Sequence, residues 1–162
     1  MVHVVKGLAV LLFLALAVVT YRRSLVWQSE NALWTDAVSS SPEMPRPHLN
    51  LGLEYEKAGD LQRALAEFDT AERLSYASYR NGKHQRMSRV AARSNIALIW
   101  LVQGRYRESE ELLNAALTDW PGYPQALVNR GTAKLAQGRC QEAAIDYLMA
   151  GVLELPRCRI AD

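Results

Sequence analysis

The side chains that usually carry chemistry are present in this chain, but not in patterns that would use them. His3, His48 and His84 stand far apart, and none has a partner at metal-ligand spacing. Glu108, Glu110 and Glu111 crowd together, yet they read most simply as the acidic first turn of a helix, beside its unsatisfied amides. No glycine-rich phosphate loop, nucleophile elbow or paired-cysteine motif occurs. Cys140 and Cys158 lie eighteen residues apart. Were one helix to carry both, its rise would separate them by about 27 Å, beyond bonding distance. A helix ending near Pro156 leaves room for a fold-back, and two cysteines do not decide the redox compartment. The expectation is a protein that is no enzyme and has no metal and no cofactor.

Charge is the next resource. The 162 residues make one domain of ordinary size, and 49% hydrophobic with 22% charged content argues against disorder. The net charge of +2 is unevenly spread: residues 43–72 hold three Lys/Arg against seven acids, whereas residues 73–107 hold eight and no acid. Within that basic stretch Arg80, Lys83, Arg86, Arg89 and Arg93 form a candidate patch, the last three sharing a helix face at spacings of three and four. Such a patch suits anionic lipid headgroups or an acidic partner; the blander reading is a solvated basic face. Aromatic interleaving is missing, so nucleic acid is not expected as a partner.

The elements that would position these residues begin with an apolar segment. Gly7 to Val19 contains no polar side chain, and Val2 to Tyr21 is twenty residues, about 30 Å as a helix, the thickness of a bilayer core. Tyr21, Arg22, Arg23 and Trp27 follow as interfacial anchors. Ala15-Leu16-Ala17 resembles a cleavage signal but lies inside the apolar run. Residues 1–23 are therefore expected to form a single-pass membrane anchor, with an uncleaved signal as the alternative. Lys6 opposes Arg22 and Arg23, which leaves orientation undecided by charge.

Self-similarity organises the remainder. One copy runs from Asn50 to Ala71 as NLGLEYEKAGDLQRALAEFDTA. A second starts at Asn95, NIALIWLVQGRYRESEELLNAAL, and a third at Asn129, NRGTAKLAQGRCQEAAIDYLMA. The second and third copies are 34 residues apart; the first and second are 45 apart, which is 34 plus an 11-residue insertion. Trp27, Trp34, Ala37 and Pro42 have the spacing of Tyr106, Leu113, Ala116 and Pro121, so a half copy precedes the three. Gly59, Gly104 and Gly138 fall where one helix must end in a positive φ. Gly52, Ala97 and Gly131 are small where paired helices approach, and Phe68, Leu113 and Tyr147 fill the space between repeats. The apolar period is helical throughout, and no segment alternates long enough to demand a sheet.

These residues, over Trp27 to Leu155, resemble the tetratricopeptide-repeat (TPR) family. The resemblance implies an all-α, right-handed TPR-type α-solenoid of about three and a half helix hairpins after one transmembrane helix. Its units would be a half repeat at 24–44, then repeats at 45–89 with the insertion, 90–123 and 124–156, and a tail at 157–162. Arg130 and Lys134 stand where the other copies have apolar or aromatic residues, and Ser109 and Glu30 stand where alanine is usual; looser packing is expected there.

The resemblance also implies a protein or peptide partner on the concave face. That face would carry Arg46, Leu49, Asn50, Leu53 and Lys57, then Ser94, Asn95, Leu98 and Val102, then Gln125, Val128, Asn129 and Thr132. The phased asparagines could bond an extended peptide backbone, or could equally satisfy the scaffold itself. Only Arg46 and Lys57 match the cations of the carboxylate-clamp type, so that activity is not expected. TPR arrays commonly end in a polar capping helix; here Ile145, Leu148 and Val152 are expected to form an exposed terminal face. The functional expectation is a membrane-anchored interaction scaffold, an adaptor or a complex subunit. As the alternative, Tyr21 to Gly52 resembles the junction of multi-spanning glycosyltransferases with carboxy-terminal TPR arrays, which would make the chain a detached accessory part. In those proteins the repeats face away from the cytoplasm, so an extracytoplasmic array is expected.

Overall fold

The computed structural model describes residues 2–77, 82–154 and 156. Among them are eight α-helices: α1 (Val2–Leu25), α2 (Glu30–Ser40), α3 (Pro45–Lys57), α4 (Leu61–Ala77), α5 (Lys83–Val102), α6 (Tyr106–Asp119), α7 (Pro124–Ala136) and α8 (Cys140–Met149). A 3-10 turn at Val26–Gln28 joins α1 to α2. No strand occurs among the described residues.

Local chemistry sets the boundaries. Ser29 caps α2 by accepting the Ala32 amide at 3.1 Å, and Asp60 accepts the Arg63 amide at 3.0 Å ahead of α4. Pro45 and Pro124 open α3 and α7, where a missing amide proton costs nothing. Three hairpins then turn in the same way. Gly59, Gly104 and Gly138 sit at φ 78°, 76° and 77°. The amides of Asp60, Arg105 and Arg139 reach back to the carbonyls of Tyr55, Trp100 and Lys134 at 2.9, 2.8 and 2.9 Å, closing each preceding helix with an orphan carbonyl satisfied.

Packing follows chain order: each helix from α2 to α8 lies against the next. In addition α3 touches α5, and α5 touches α7, whereas the second helices do not meet to a similar extent. Closer approach among α3, α5 and α7 curves the stack and makes these helices its concave layer, so the array is an α-solenoid of helix hairpins. Within the first hairpin, the ring of Phe68 is fully buried against Gly52, where an added Cβ would come within 2.6 Å of it. In the third, Gly131 lies under Tyr147 and the Ala143 carbonyl. The second hairpin has Ala97 at this place, and buried Ser109 donates to the Ala97 carbonyl at 2.9 Å. The serine thus bonds across the helix pair rather than loosening it.

The third hairpin is likewise tighter than its sequence suggests. Arg130 grips Asp146 with two bonds of 2.9 and 2.6 Å, and Lys134 reaches the same carboxylate at 2.8 Å. Asp146 is 1% exposed. Charge replaces the apolar contacts made by Leu51 and Ile96, with the counter-ion supplied by α8.

Two ends differ from the hairpins. Helix α1 is 24 residues, about 36 Å long, and its apolar side chains from Val5 onward are exposed all round. By length and composition it is able to cross a membrane, although a signal sequence would pass the same test. Its descent onto the array is tied by Arg23, which pairs with Asp36 of α2 at 2.7 Å. At the other end α8 stops at Met149, with Gly151 at φ 82°, so no single helix carries both cysteines. Cys140 is disulfide-bonded; Cys158 and the 157–162 tail lie outside the described residues.

Candidate partner-binding face

The sequence-derived concave residues sort into three kinds of environment. Arg46 is exposed, and Leu49, Asn50 and Leu53 are half-buried on α3. On α5, Asn95 and Leu98 are half-buried and Val102 is 74% exposed. On α7, Gln125 and Thr132 are exposed and Val128 is half-buried. These positions share the open side of the first helices.

Lys57 is exposed but engaged, with Glu54 at 2.6 Å and Glu30 at 3.2 Å. Both hydrogen bonds raise the pKa of its ammonium, and the pair occupies one of the two cations that a carboxylate clamp would use.

Ser94 and Asn129 correct the expectation. Ser94 is fully buried and its hydroxyl donates to the Val90 carbonyl at 2.7 Å. Asn129 is 3% exposed; its amide donates to the Ser94 carbonyl at 3.0 Å and accepts from Gln125 at 3.1 Å. Its side chain thus ties α7 to α5. Asn50 and Asn95 behave differently: neither side chain bonds to another described residue. One member of the phased row therefore serves the scaffold, and two keep free amides on the concave side.

The basic patch is corrected in the same manner. Arg80 lies outside the described residues. Lys83 and Arg86 are exposed at the start of α5, but Arg89 and Arg93 are each only 9% exposed. Arg89 binds Asp119 of α6 through two bonds of 2.7 and 3.0 Å. Arg93 binds Glu72 of α4 at 2.8 Å, Asp119 at 2.9 Å and the Ala115 carbonyl at 3.1 Å, and donates to the Tyr76 hydroxyl. The Tyr76 ring lies under both guanidinium groups, 4.7 and 5.5 Å from its centroid. The Arg89 hydrogen bond, above all, holds the Asp119 carboxyl below its ordinary pKa. These arginines pin the lengthened α5 between α4 and α6 and leave Lys83 and Arg86 as the exposed cations.

Of the terminal face, Ile145 and Leu148 are 57% and 56% exposed, whereas Val152 is half-buried, its amide held by the Tyr147 carbonyl.

Two grooves lie on the concave side, and Asn50 lines both. A groove of about 680 Å³ runs between the first turns of α3 and α5, lined by Met44, Arg46, Leu49, His84, Met87 and Ala91 among others, with Tyr123 at its far side. A smaller one of about 190 Å³ lies between α2 and α3, with Trp34, Leu53 and the Glu30–Lys57–Glu54 pairs around it. The contributions of Met44, His84, Met87, Tyr123 and Trp34 were not evident from sequence. Met87 and Ala91 extend the Asn95–Leu98–Val102 stripe backwards at spacings of four, so helical phase alone could have placed them. No group of histidine, cysteine or acidic side chains among the described residues could hold a metal ion.

Comparison with known proteins agrees with this geometry. Residues 89–151 match the tetratricopeptide repeat family. The solved second TPR of Spaghetti (RPAP3), bound to the HSP90 peptide SRMEEVD, superposes with a TM-score of 0.56 at 22% identity, covering 74% of this chain and 94% of that one. No curated protein matches in sequence.

Proposed function

We propose that this chain, whose residues 89–151 match the tetratricopeptide repeat family, is a membrane-anchored scaffold of that family that binds a protein segment along its concave face, as an adaptor or a complex subunit. TPR arrays are interaction scaffolds, and the observation that carries the finer reading is the free amide of Asn50 in the lining of an open groove, with that of Asn95 one helical turn beyond the lining residue Ala91. An asparagine amide donates and accepts at once, so it can bond a partner backbone without reading its side chains. That the similar RPAP3 domain holds a peptide supports the same use of the fold. Because Lys57 is engaged by two glutamates, the segment bound here differs from one recognised by its terminal carboxylates.

Anchoring rests on α1, whose apolar side chains from Val5 onward are exposed to solvent and which meets the repeats at its end, through the Arg23–Asp36 pair. Leaving such a surface in water is costly, about 25 cal/mol per Å² of apolar area, and a bilayer removes that cost. The repeats lie on the extracytoplasmic side, a reading supported by the disulfide at Cys140, which an oxidising compartment favours.

The test is affinity isolation of the full chain from detergent-solubilised native membranes, followed by mass spectrometry. A protein recovered in constant ratio with the wild type, and lost with Asn50→Arg together with Asn95→Arg, is the expected outcome. Recovery unaffected by that double substitution would remove the concave face from the account.

A further inference from the structure

The insertion gives this array something its regular repeats lack. Helix α5 has 20 residues where α3 and α7 have 13, and the added turns form a wall of the larger groove through His84, Met87 and Ser88. The wall is held rigidly, because Arg89 and Arg93 lock the same turns to α4 and α6. The groove is thus a built feature and not a gap between standard helices.

Its lining has a definite character. Met44 and Met87 are 56% and 41% exposed, and with Leu49, Ala91 and Tyr123 they leave apolar surface facing water. Unbranched thioethers repack around anchors of different shape. A volume of about 680 Å³ falls within the usual range for ligand pockets, ample for a bulky side chain and its neighbours. The ionisable groups that line it are Arg46, His84 and the Tyr123 phenol, with no carboxylate among them. Arg46 forms no ion pair with a described residue. The sequence around the wall, residues 73–107, contains no acid at all.

We propose that this groove takes a protein segment in which a bulky apolar residue lies within a turn of a carboxylate: the apolar residue enters between the methionines, and the carboxylate pairs with Arg46. The inference rests on the scaffold reading above and adds the chemistry of the partner. A basic segment would meet only like charge, and a purely apolar one would leave Arg46 unused and partly desolvated. An acidic lipid shares the apolar and anionic parts but has no backbone to engage Asn50, which opens from this groove toward the next.

The experiment is selection from a random peptide library displayed on phage, against the full chain in nanodiscs of uncharged phosphatidylcholine. Enriched peptides should pair Phe, Leu, Met or Trp with a nearby Asp or Glu. A synthetic copy of an enriched peptide should bind Ala91→Arg and Arg46→Glu about tenfold or more weakly than wild type. A peptide with its acid changed to Lys should recover affinity for Arg46→Glu; Arg46 is exposed, so that variant folds even if Ala91→Arg does not. Peptides weakened by Val102→Arg but indifferent to Arg46→Glu would overturn the groove assignment and leave the scaffold reading standing. Enrichment of basic peptides would also overturn it. No enrichment at all, or occupation only by phosphatidylserine when it is added to the discs, would sink both.

Discussion

Among single residues, Asp146 carries the most consequence. It is the one anion between two cations, Arg130 and Lys134, in the third hairpin. Burial raises its pKa, but the hydrogen bonds and charges of Arg130 and Lys134 together outweigh burial and leave the carboxyl below its ordinary value. A carboxylate depressed by folding stabilises above its unfolded pKa, near 4, and that contribution disappears as pH falls through the folded value. The contribution of Asp146 to stability against urea should therefore be constant above about pH 5 and be lost below about pH 4, with a smaller acid loss in Asp146→Asn. Asp146→Ala should cost about 3–5 kcal/mol, since it strands two cations. Replacing the triad by the second repeat's residues, as Arg130→Ile, Lys134→Trp and Asp146→Leu, should be neutral or stabilising. If the triple variant unfolds as readily as Asp146→Ala, the cluster is not a substitute for apolar packing. Sequence showed Arg130 and Lys134 as departures and could not show their remedy, because the counter-ion comes from a different helix.

At the scale of elements, the paired small and large residues decide how closely two helices lie. Gly52→Ala would put a methyl group 2.6 Å from the buried Phe68 ring, a clash worth about 1–3 kcal/mol. The second repeat has already solved this geometry with Ala97 and Leu113, so Gly52→Ala combined with Phe68→Leu should recover much of the loss in thermal or chemical unfolding. An additive double variant would show that the two positions do not meet. This part of the fold was legible beforehand, since Gly52, Ala97, Phe68 and Leu113 recur in helical phase and the turn glycines mark each hairpin. The environment of an individual polar residue was not. Asn50, Asn95 and Asn129 look equivalent in sequence, yet Asn129 alone finds a carbonyl on the neighbouring helix. Arg89 and Arg93 look like an exposed basic face until α6 brings Asp119, thirty residues from Arg89, against them.

At the scale of the molecule, a curved stack of hairpins offers one long concave surface, and an apolar helix of bilayer length stands at its start. The Arg23–Asp36 pair ties that helix to the first repeat element, so the apolar helix and the repeats are joined through a short connection. The concave face also carries the features that distinguish this array: free amides, a methionine-lined groove and an engaged Lys57. The measurement that tests the account most directly is site-specific photo-crosslinking in native membranes, with benzoylphenylalanine placed at Asn95 on the concave side or at Thr118 on exposed α6. The account predicts a discrete crosslinked protein from position 95 and none from position 118. Equal crosslinking from both, or a product from 118 alone, would contradict it.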